Sequence, residues 1–156
     1  MFLIATLLIG GIMFTGCTKD PEPTPDPEPT PTTVGIAYAV TNVHGNSTLS
    51  PCFKLNVTYL DANGQEVTEN GVTLPWTKII EVTSPFHAKM VGELVYNEED
   101  LPDSVVFGTS YAIDLKNLIS VPQIYSGGFS AASKENFLNY MAQHPDKLKF
   151  TAEKDF

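Results

Sequence analysis

The sequence contains no arginine, and its nine basic side chains, all lysines, are set against 18 acidic ones. The formal net charge is therefore −9, and the isoelectric point is about 4.6. Proteins that bind DNA or RNA usually present a basic surface, and arginine is their most common donor to guanine and phosphate. The composition therefore excludes nucleic acid from the expected partners.

Residue types that build catalytic and metal sites are also scarce. Only two cysteines and three histidines occur, and His44, His87 and His144 fall in predicted loops or at a helix end, without the spacing of metal ligands. The sequence has no nucleophile elbow, no phosphate-binding glycine loop and no paired-carboxylate motif. We therefore expect a protein that is not an enzyme and that holds no cofactor or metal.

No apolar segment reaches the ~20 residues that a membrane-spanning helix needs. The longest apolar run, residues 1–16, has no charged side chain and suits the hydrophobic region of a signal peptide. It ends in Phe14-Thr15-Gly16-Cys17, which resembles the bacterial lipobox. The resemblance implies cleavage before Cys17, acylation of the new N-terminus by diacylglycerol and palmitate-type chains, and a membrane anchor. A short buried helix with an incidental cysteine is the alternative.

Residues 17–33 combine the anchor cysteine with a segment that has proline at nearly every second position and no aliphatic side chain. Such a segment favours an extended polyproline-II spacer of roughly 3.1 Å per residue, or ~50 Å overall. Lys19, Asp20 and Glu22 resemble the signal by which lipoproteins of the Bacteroidetes are exported to the outer surface. We therefore expect a lipid-anchored protein of the bacterial outer membrane, displayed on the cell surface.

From residue 34 onward, apolar and polar residues alternate, and this period of two is typical of half-buried strands. Asp61-Ala62-Asn63-Gly64 predicts a tight turn with Gly64 at positive φ, and Glu69-Asn70-Gly71 predicts a second turn. Short strands separated by such turns indicate one antiparallel sandwich over residues 34–156. The predicted strands in this part of the chain are residues 34–41, 53–59, 65–68, 76–83 and 88–96.

The clearest alternation spans residues 105–115, which we interpret as one strand. Its apolar face, together with those of the other strands, predicts one core that contains the large residues Tyr59, Trp76, Phe107, Tyr111 and Ile113. The alternation places these side chains on one face while small or polar residues occupy the other.

The pattern breaks after Leu118, and residues 119–129 are predicted to form a long loop. A short helix over Lys134–Gln143 follows, capped by Ser133 or Ser130, with Phe137, Tyr140 and Met141 on one face. His144-Pro145 ends the helix, and residues 147–152 read as the last strand.

The segment Val57-Thr58-Tyr59-Leu60-Asp61-Ala62-Asn63-Gly64, followed by Leu74-Pro75-Trp76-Thr77-Lys78, resembles two groups of proteins. One is the small immunoglobulin-like lipoproteins of Bacteroidales, and the other is the mycobacterial membrane proteins called MmpS. The resemblance implies an immunoglobulin-like or transthyretin-like sandwich. Together with the predicted helix, we therefore expect an all-β sandwich with one short helix inserted near the C-terminus.

Several residues invite more than one interpretation. Trp76 is a core residue or a platform for stacking a sugar. The loop that begins at Asp61 is a simple turn or the start of a calcium loop, and the acidic residues of 98–103 are a solvated loop or a metal site. Cys52 is a free thiol without an intramolecular partner once Cys17 is acylated.

Two functions follow from these features. The first is a surface-tethered, non-catalytic module for adhesion or for assembly with another envelope protein. The second is a module that binds a carbohydrate or another small molecule through the loop aromatics Tyr125 and Phe129, which flank Ser126-Gly127-Gly128.

Overall fold

The structure is a computed structural model that describes residues 30–44, 47–118, 124–125, 130–131 and 133–156, with the backbone alone at residues 44, 124–125 and 130. Its one α-helix in these residues is α1 (Lys134–Gln143), and 3₁₀ turns occupy Glu98–Asp100 and Pro145–Leu148. The strands are β1 (Thr33–Thr41), β2 (Val43–His44), β3 (Ser47–Thr48), β4 (Lys54–Leu60), β5 (Glu66–Val72), β6 (Trp76–Thr83), β7 (His87–Val95), β8 (Val105–Val106), β9 (Ser110–Leu115), β10 (Ile124–Tyr125), β11 (Ser130–Ala131) and β12 (Lys149–Asp155).

Two four-stranded sheets pack face to face, and every strand pairing within them is antiparallel. The first sheet has the order β10-β9-β1-β6, and the second has the order β12-β7-β4-β5. Two small ladders, β2 with β3 and β8 with β11, are added to them. This arrangement confirms the predicted immunoglobulin-like β-sandwich.

Strand β1 lies in the interior of the first sheet and is buried on both of its faces. Ile36, Tyr38 and Val40 point between the sheets and are fully buried, as the alternation predicted. Ala37 and Ala39 point the other way and are still only 2% exposed. Their methyl groups are small enough to be enclosed by the neighbouring strands β6 and β9, with which they pair.

The main core lies between the sheets and contains four of the five predicted residues. Tyr59, Trp76, Tyr111 and Ile113 belong to it, so that part of the prediction is confirmed. The ring of Tyr111 in the first sheet stacks on the ring of Phe150 in the second, with centroids 4.4 Å apart. This contact joins the two sheets on the side where β9 faces β12.

The prediction that residues 105–115 form one strand is wrong. Gly108 has a φ of +108°, so the chain turns there and separates β8 from β9. β8 pairs with β11, whereas β9 pairs with β1. Phe107 accordingly belongs to a second hydrophobic cluster, not to the core between the sheets.

The helix α1 closes this second cluster at one end of the sandwich. Its predicted bounds are confirmed, and of the two candidate caps Ser133 is the one that accepts a hydrogen bond from the Asn136 amide, at 3.1 Å. Phe137 is fully buried, and its ring meets those of Phe53 and Phe107 edge-on at 5.9 and 5.3 Å.

The last strand begins later than predicted, at Lys149. The preceding residues Pro145–Leu148 form a 3₁₀ turn, in which proline takes a first-turn position that needs no amide donor. The inward direction of Leu148, Phe150 and Ala152 is confirmed by their burial.

The turn predicted at Glu69-Asn70-Gly71 is a β-bulge inside β5. The register with β4 shifts between Leu55 and Val57, and Gly71 takes a φ of +64° while its amide donates to Asn56 Oδ1 at 2.8 Å. The other predicted turn is confirmed, because Gly64 has a φ of +73°.

We predict that Gly92→Ala destabilises the domain because Phe150 occupies the space a side chain would need. A Cβ at Gly92 would lie 2.1 Å from Phe150 Cζ, and the ring is held from its other face by Tyr111. Overpacking of this kind costs about 1–3 kcal/mol in the free energy of unfolding, measurable by denaturant titration. In a Phe150→Leu background the same substitution should cost less. If Gly92→Ala alone lowered the free energy of unfolding by no more than ~0.5 kcal/mol, the scale of surface changes, this packing would be contradicted.

Candidate functional site

Of the two residues predicted to bind a ligand, Tyr125 and Phe129, the structure describes the backbone of Tyr125. Tyr125 lies in β10, within the predicted loop, and its backbone pairs with that of Ser110 in β9. Its side chain and the whole of Phe129 lie outside the described residues, as does Cys17. The ligand-binding and lipidation hypotheses therefore stay predictions.

The described residues do bring four side chains together where β5 and β6 form neighbouring edges of the two sheets. We call Tyr59, Glu69, Trp76 and Lys78 the Glu69 cluster. Glu69 Oε1 accepts hydrogen bonds from Tyr59 Oη at 3.0 Å and from Lys78 Nζ at 3.3 Å. Its Oε2 accepts one from Trp76 Nε1 at 3.1 Å. Three donors from two strands, β4 and β6, therefore converge on one carboxylate of β5.

The uninterrupted register of β5 with β4 up to Glu69 explains why this glutamate points toward the core. The register places Glu69 opposite Val57 and Val67 opposite Tyr59, and both partners on β4 are inward-facing. Glu69 is thus on the inner face of the second sheet, with 31% of its side chain exposed. An inward carboxylate is stable only when its oxygens are hydrogen-bonded, and the cluster supplies those bonds.

Aromatic rings connect the cluster to β1. The Tyr59 ring lies 5.6 Å from that of Trp76 and 5.4 Å from that of Tyr38, measured between centroids. Burial raises the pKa of Tyr38 to about 12, and its hydroxyl donates to the Leu60 carbonyl at 2.8 Å. Lys78 Nζ lies 5.5 Å from the Tyr59 ring centroid, within range of a cation–π interaction.

The electrostatics of the cluster favour its charged state. The hydrogen bond from Trp76, followed by those from Tyr59 and Lys78, lowers the pKa of the Glu69 carboxyl. The Tyr59 hydroxyl and then Glu69 raise the pKa of the Lys78 ammonium. Both oxygens of the carboxylate are engaged, so the arrangement holds two sheet edges together and leaves no oxygen without a donor.

Sequence reasoning misses Glu69, because Glu69-Asn70-Gly71 predicts a turn. The alternation of Val67 with Glu69, which both precede the bulge, is the signal that predicts an inward Glu69. Trp76, by contrast, is confirmed as a core residue, since it is only 8% exposed.

The histidines and acidic residues do not assemble into a metal site in the described part of the chain, where no group of three or more potential ligands is close enough to hold an ion. His87 is the first residue of β7, so its predicted loop position is wrong, and its Nδ1 lies 2.7 Å from Asp155 Oδ1 across the β7–β12 pair. His44 lies in β2, again in a strand instead of a loop. The residues Glu98–Asp100 are exposed in their 3₁₀ turn.

Cys52 lies in the turn before β4 and is partly buried. Burial raises the pKa of its thiol. It lines a shallow cavity of about 150 Å³ with residues that include Lys54, Tyr96 and Asp100. A raised pKa disfavours the thiolate, the nucleophilic form of cysteine.

No protein-family model matches the sequence, and no curated protein matches it significantly. Among the described residues, no helix is long and apolar enough to cross a membrane.

We predict that Glu69→Gln lowers the free energy of unfolding by about 1–2 kcal/mol at pH 7, the range for hydrogen bonds to a charged group. The new amide would accept through one atom only, so one donor in the cluster loses its acceptor. Trp76 is the single tryptophan, and its fluorescence reports the change directly. Glu66→Gln, on the exposed part of the same strand, is the matched control.

The same cluster gives a prediction for pH. Because the folded-state pKa of Glu69 is lowered, its contribution is complete well above the ordinary glutamate value of about 4.3. The contribution is then lost as the pH falls through the folded-state pKa. Wild type should therefore lose more stability than Glu69→Gln between pH 6 and pH 3, a range of about three units around that ordinary value. Parallel stability curves for the two proteins would contradict the assignment.

Proposed function

We propose that the protein is a lipoprotein of the bacterial outer membrane whose β-sandwich is a non-catalytic module for adhesion or for assembly with another envelope protein. The observation that carries the proposal is the order of segments along the chain. A motif that resembles a lipobox and ends in Cys17 is followed by a proline-rich segment, and β1 begins after that segment at Thr33. An anchor, a spacer and a folded module are the parts that presentation at a distance from a membrane requires.

The position of β1 supports a role under tension. Residues Thr33–Val40 pair with β6, and Ile36–Thr41 pair with β9. A pull transmitted along the N-terminal segment therefore acts on a strand with hydrogen-bonded neighbours on both edges. Such a strand leaves its sheet only when both ladders break, which suits a domain held at one end by its anchor.

The outer face of the second sheet supports recognition by short-range contact. Four of its charged residues are paired within the chain, Lys149 with Glu93 at 3.6 Å and Lys89 with Glu153 at 3.4 Å. On the other half of this face, Thr58 on β4 and Thr68 on β5 share a hydrogen bond of 2.8 Å. A face with paired charges exerts a weak long-range field, so partner selection falls to the edges and loops of the sandwich.

The second candidate function is binding of a carbohydrate or another small molecule. The pairing of Tyr125 with Ser110 favours it, because a strand fixes the backbone of this aromatic residue at the edge of the first sheet. A glycan array tests it, with Tyr125→Ala as the variant that should lose the bound glycans. Binding that is indifferent to Tyr125→Ala would count against this candidate.

The anchor is tested at Cys17. Mass spectrometry of the N-terminal peptide from native membranes should show an acylated Cys17, and Cys17→Ser should move the protein from the membrane fraction to the soluble fraction. Cys52→Ser is the matched control and should leave the distribution unchanged. An unmodified Cys17, or membrane association that survives Cys17→Ser, would overturn the proposal.

Display on the outer surface is tested by protease treatment of intact cells. We expect the proline-rich segment to be cut and the domain released, because extended chain is a better protease substrate than paired strands. If the full-length chain survives on intact cells and is cut only after lysis, the module faces the periplasm.

A further inference from the structure

The edge strands of the two sheets are protected to very different degrees. β5 is interrupted by its bulge, β12 carries four charged residues among seven, and β10 is two residues long. These are the devices by which sheets avoid pairing with other chains. β6 is neither bulged nor short: its register with β1 runs without interruption over eight residues, and Ile79 at its middle is 55% exposed.

The backbone of β6 directs alternate residues toward its open side. The Ser84 amide donates to the Thr32 carbonyl, and the Lys116 amide donates to the Gly35 carbonyl. Even-numbered residues of β1 therefore bond to β6 and odd-numbered ones to β9. On β6 the even-numbered residues are thus engaged, whereas Thr77, Ile79 and Glu81 present their amides and carbonyls to a side where no described strand pairs.

The charges on β6 are neutralised within the chain. Lysine on an edge strand normally opposes pairing, but the Lys78 ammonium is bound by Glu69 at 3.3 Å. Glu81 is bound by Lys116, whose side chain crosses Gly35 on the outer face of the first sheet. The open edge is therefore neutral, regular and apolar at its centre.

We propose that β6 is a pairing edge to which a second copy of the chain adds its own β6, antiparallel and about a two-fold axis at Ile79. In that register Ile79 faces the Ile79 of the second copy, and Thr77 faces Glu81, so no two like charges are directly opposite. The odd-numbered residues that present their backbone groups outward are the ones that this register pairs. Because the two-fold axis relates two copies of the same strand, each copy donates to and accepts from the other through the same residues.

The expected affinity is weak in solution. Pairing of two such strands buries less than the ~1,600 Å² of a standard stable interface. Anchoring two copies in one membrane raises their effective concentration toward ~1 mM, which compensates for a small interface. This step rests on the proposed lipid anchor, whereas the geometry of the edge does not.

Disulfide trapping of the full chain in native membranes tests the pairing. Residues opposite each other in a hydrogen-bonded antiparallel pair have Cα atoms about 5.5 Å apart, within the range that a disulfide spans. Ile79→Cys in a Cys52→Ser background should therefore form a linked dimer on mild oxidation. Val91→Cys in the same background is the matched control, because Val91 is 40% exposed on the outer face of the second sheet. We expect about a tenfold higher dimer yield at position 79, the scale of gain that correct geometry at high effective concentration gives.

A second variant separates pairing from chance collision. Adding Thr77→Pro removes an amide that points to the open side without removing a bond to β1, so the yield at position 79 should fall to the control level. Equal yields at positions 79 and 91, or a yield insensitive to Thr77→Pro, would overturn the proposal. A linked product containing a different protein would also overturn it, in favour of a partner that adds a strand.

The acylation state of Cys17, read in the same sample, separates this proposal from the proposed function. An acylated chain without the dimer overturns the pairing and leaves the anchor. A dimer formed by an unacylated chain keeps the pairing and overturns the anchor.

Discussion

Strand β1 is the element on which the other contacts of the sandwich depend, because it is enclosed on both edges and both faces. Its inward side chains Ile36, Tyr38 and Val40 are fully buried between the sheets. On its outer side, Ala37 and Ala39 leave room for the side chains of β6 and β9 to close over the strand. Larger residues there would be exposed, and polar ones would lose hydration without gaining a partner.

The Glu69 cluster is built on the same strand. Tyr38 supports the ring of Tyr59, which contacts Trp76, and the donors of Tyr59 and Trp76 converge on Glu69. The cluster therefore ties the edge of the second sheet to that of the first. Within the cluster, Glu69 also binds Lys78, and this ion pair neutralises the lysine charge that would otherwise protect the edge of β6. The packing of β1, the hydrogen bonds of the Glu69 carboxylate and the neutral edge of β6 therefore depend on one another.

Alternation and capping signals predicted most of the fold because they are local. The burial of β1, the turn at Gly64 and the helix that begins after Ser133 all depend on residues close in sequence. Alternation states which face a residue occupies but not which strand it pairs with. It could not separate Phe107 from the main core, since Gly108 changes the direction of the chain without changing the alternation.

The Glu69 cluster could not be derived for the same reason. Its four members come from three strands, and they meet because the pairing of β5 with β4 and the packing of the two sheets bring them together. The exposed edge of β6 is a property of sheet order, which no single segment encodes. The side chains of Cys17, Tyr125 and Phe129 lie outside the described residues, so their roles in lipidation and ligand binding stay predictions.

Native-state hydrogen exchange tests the central place of β1 most directly. If the sandwich is organised around this strand, the amides of Ile36, Tyr38 and Val40 exchange only by global unfolding, with an opening free energy equal to that from denaturant titration. The amides of α1, which belong to the second cluster, should open at a lower free energy. Exchange of the β1 amides at a lower opening free energy than those of α1 would contradict the account.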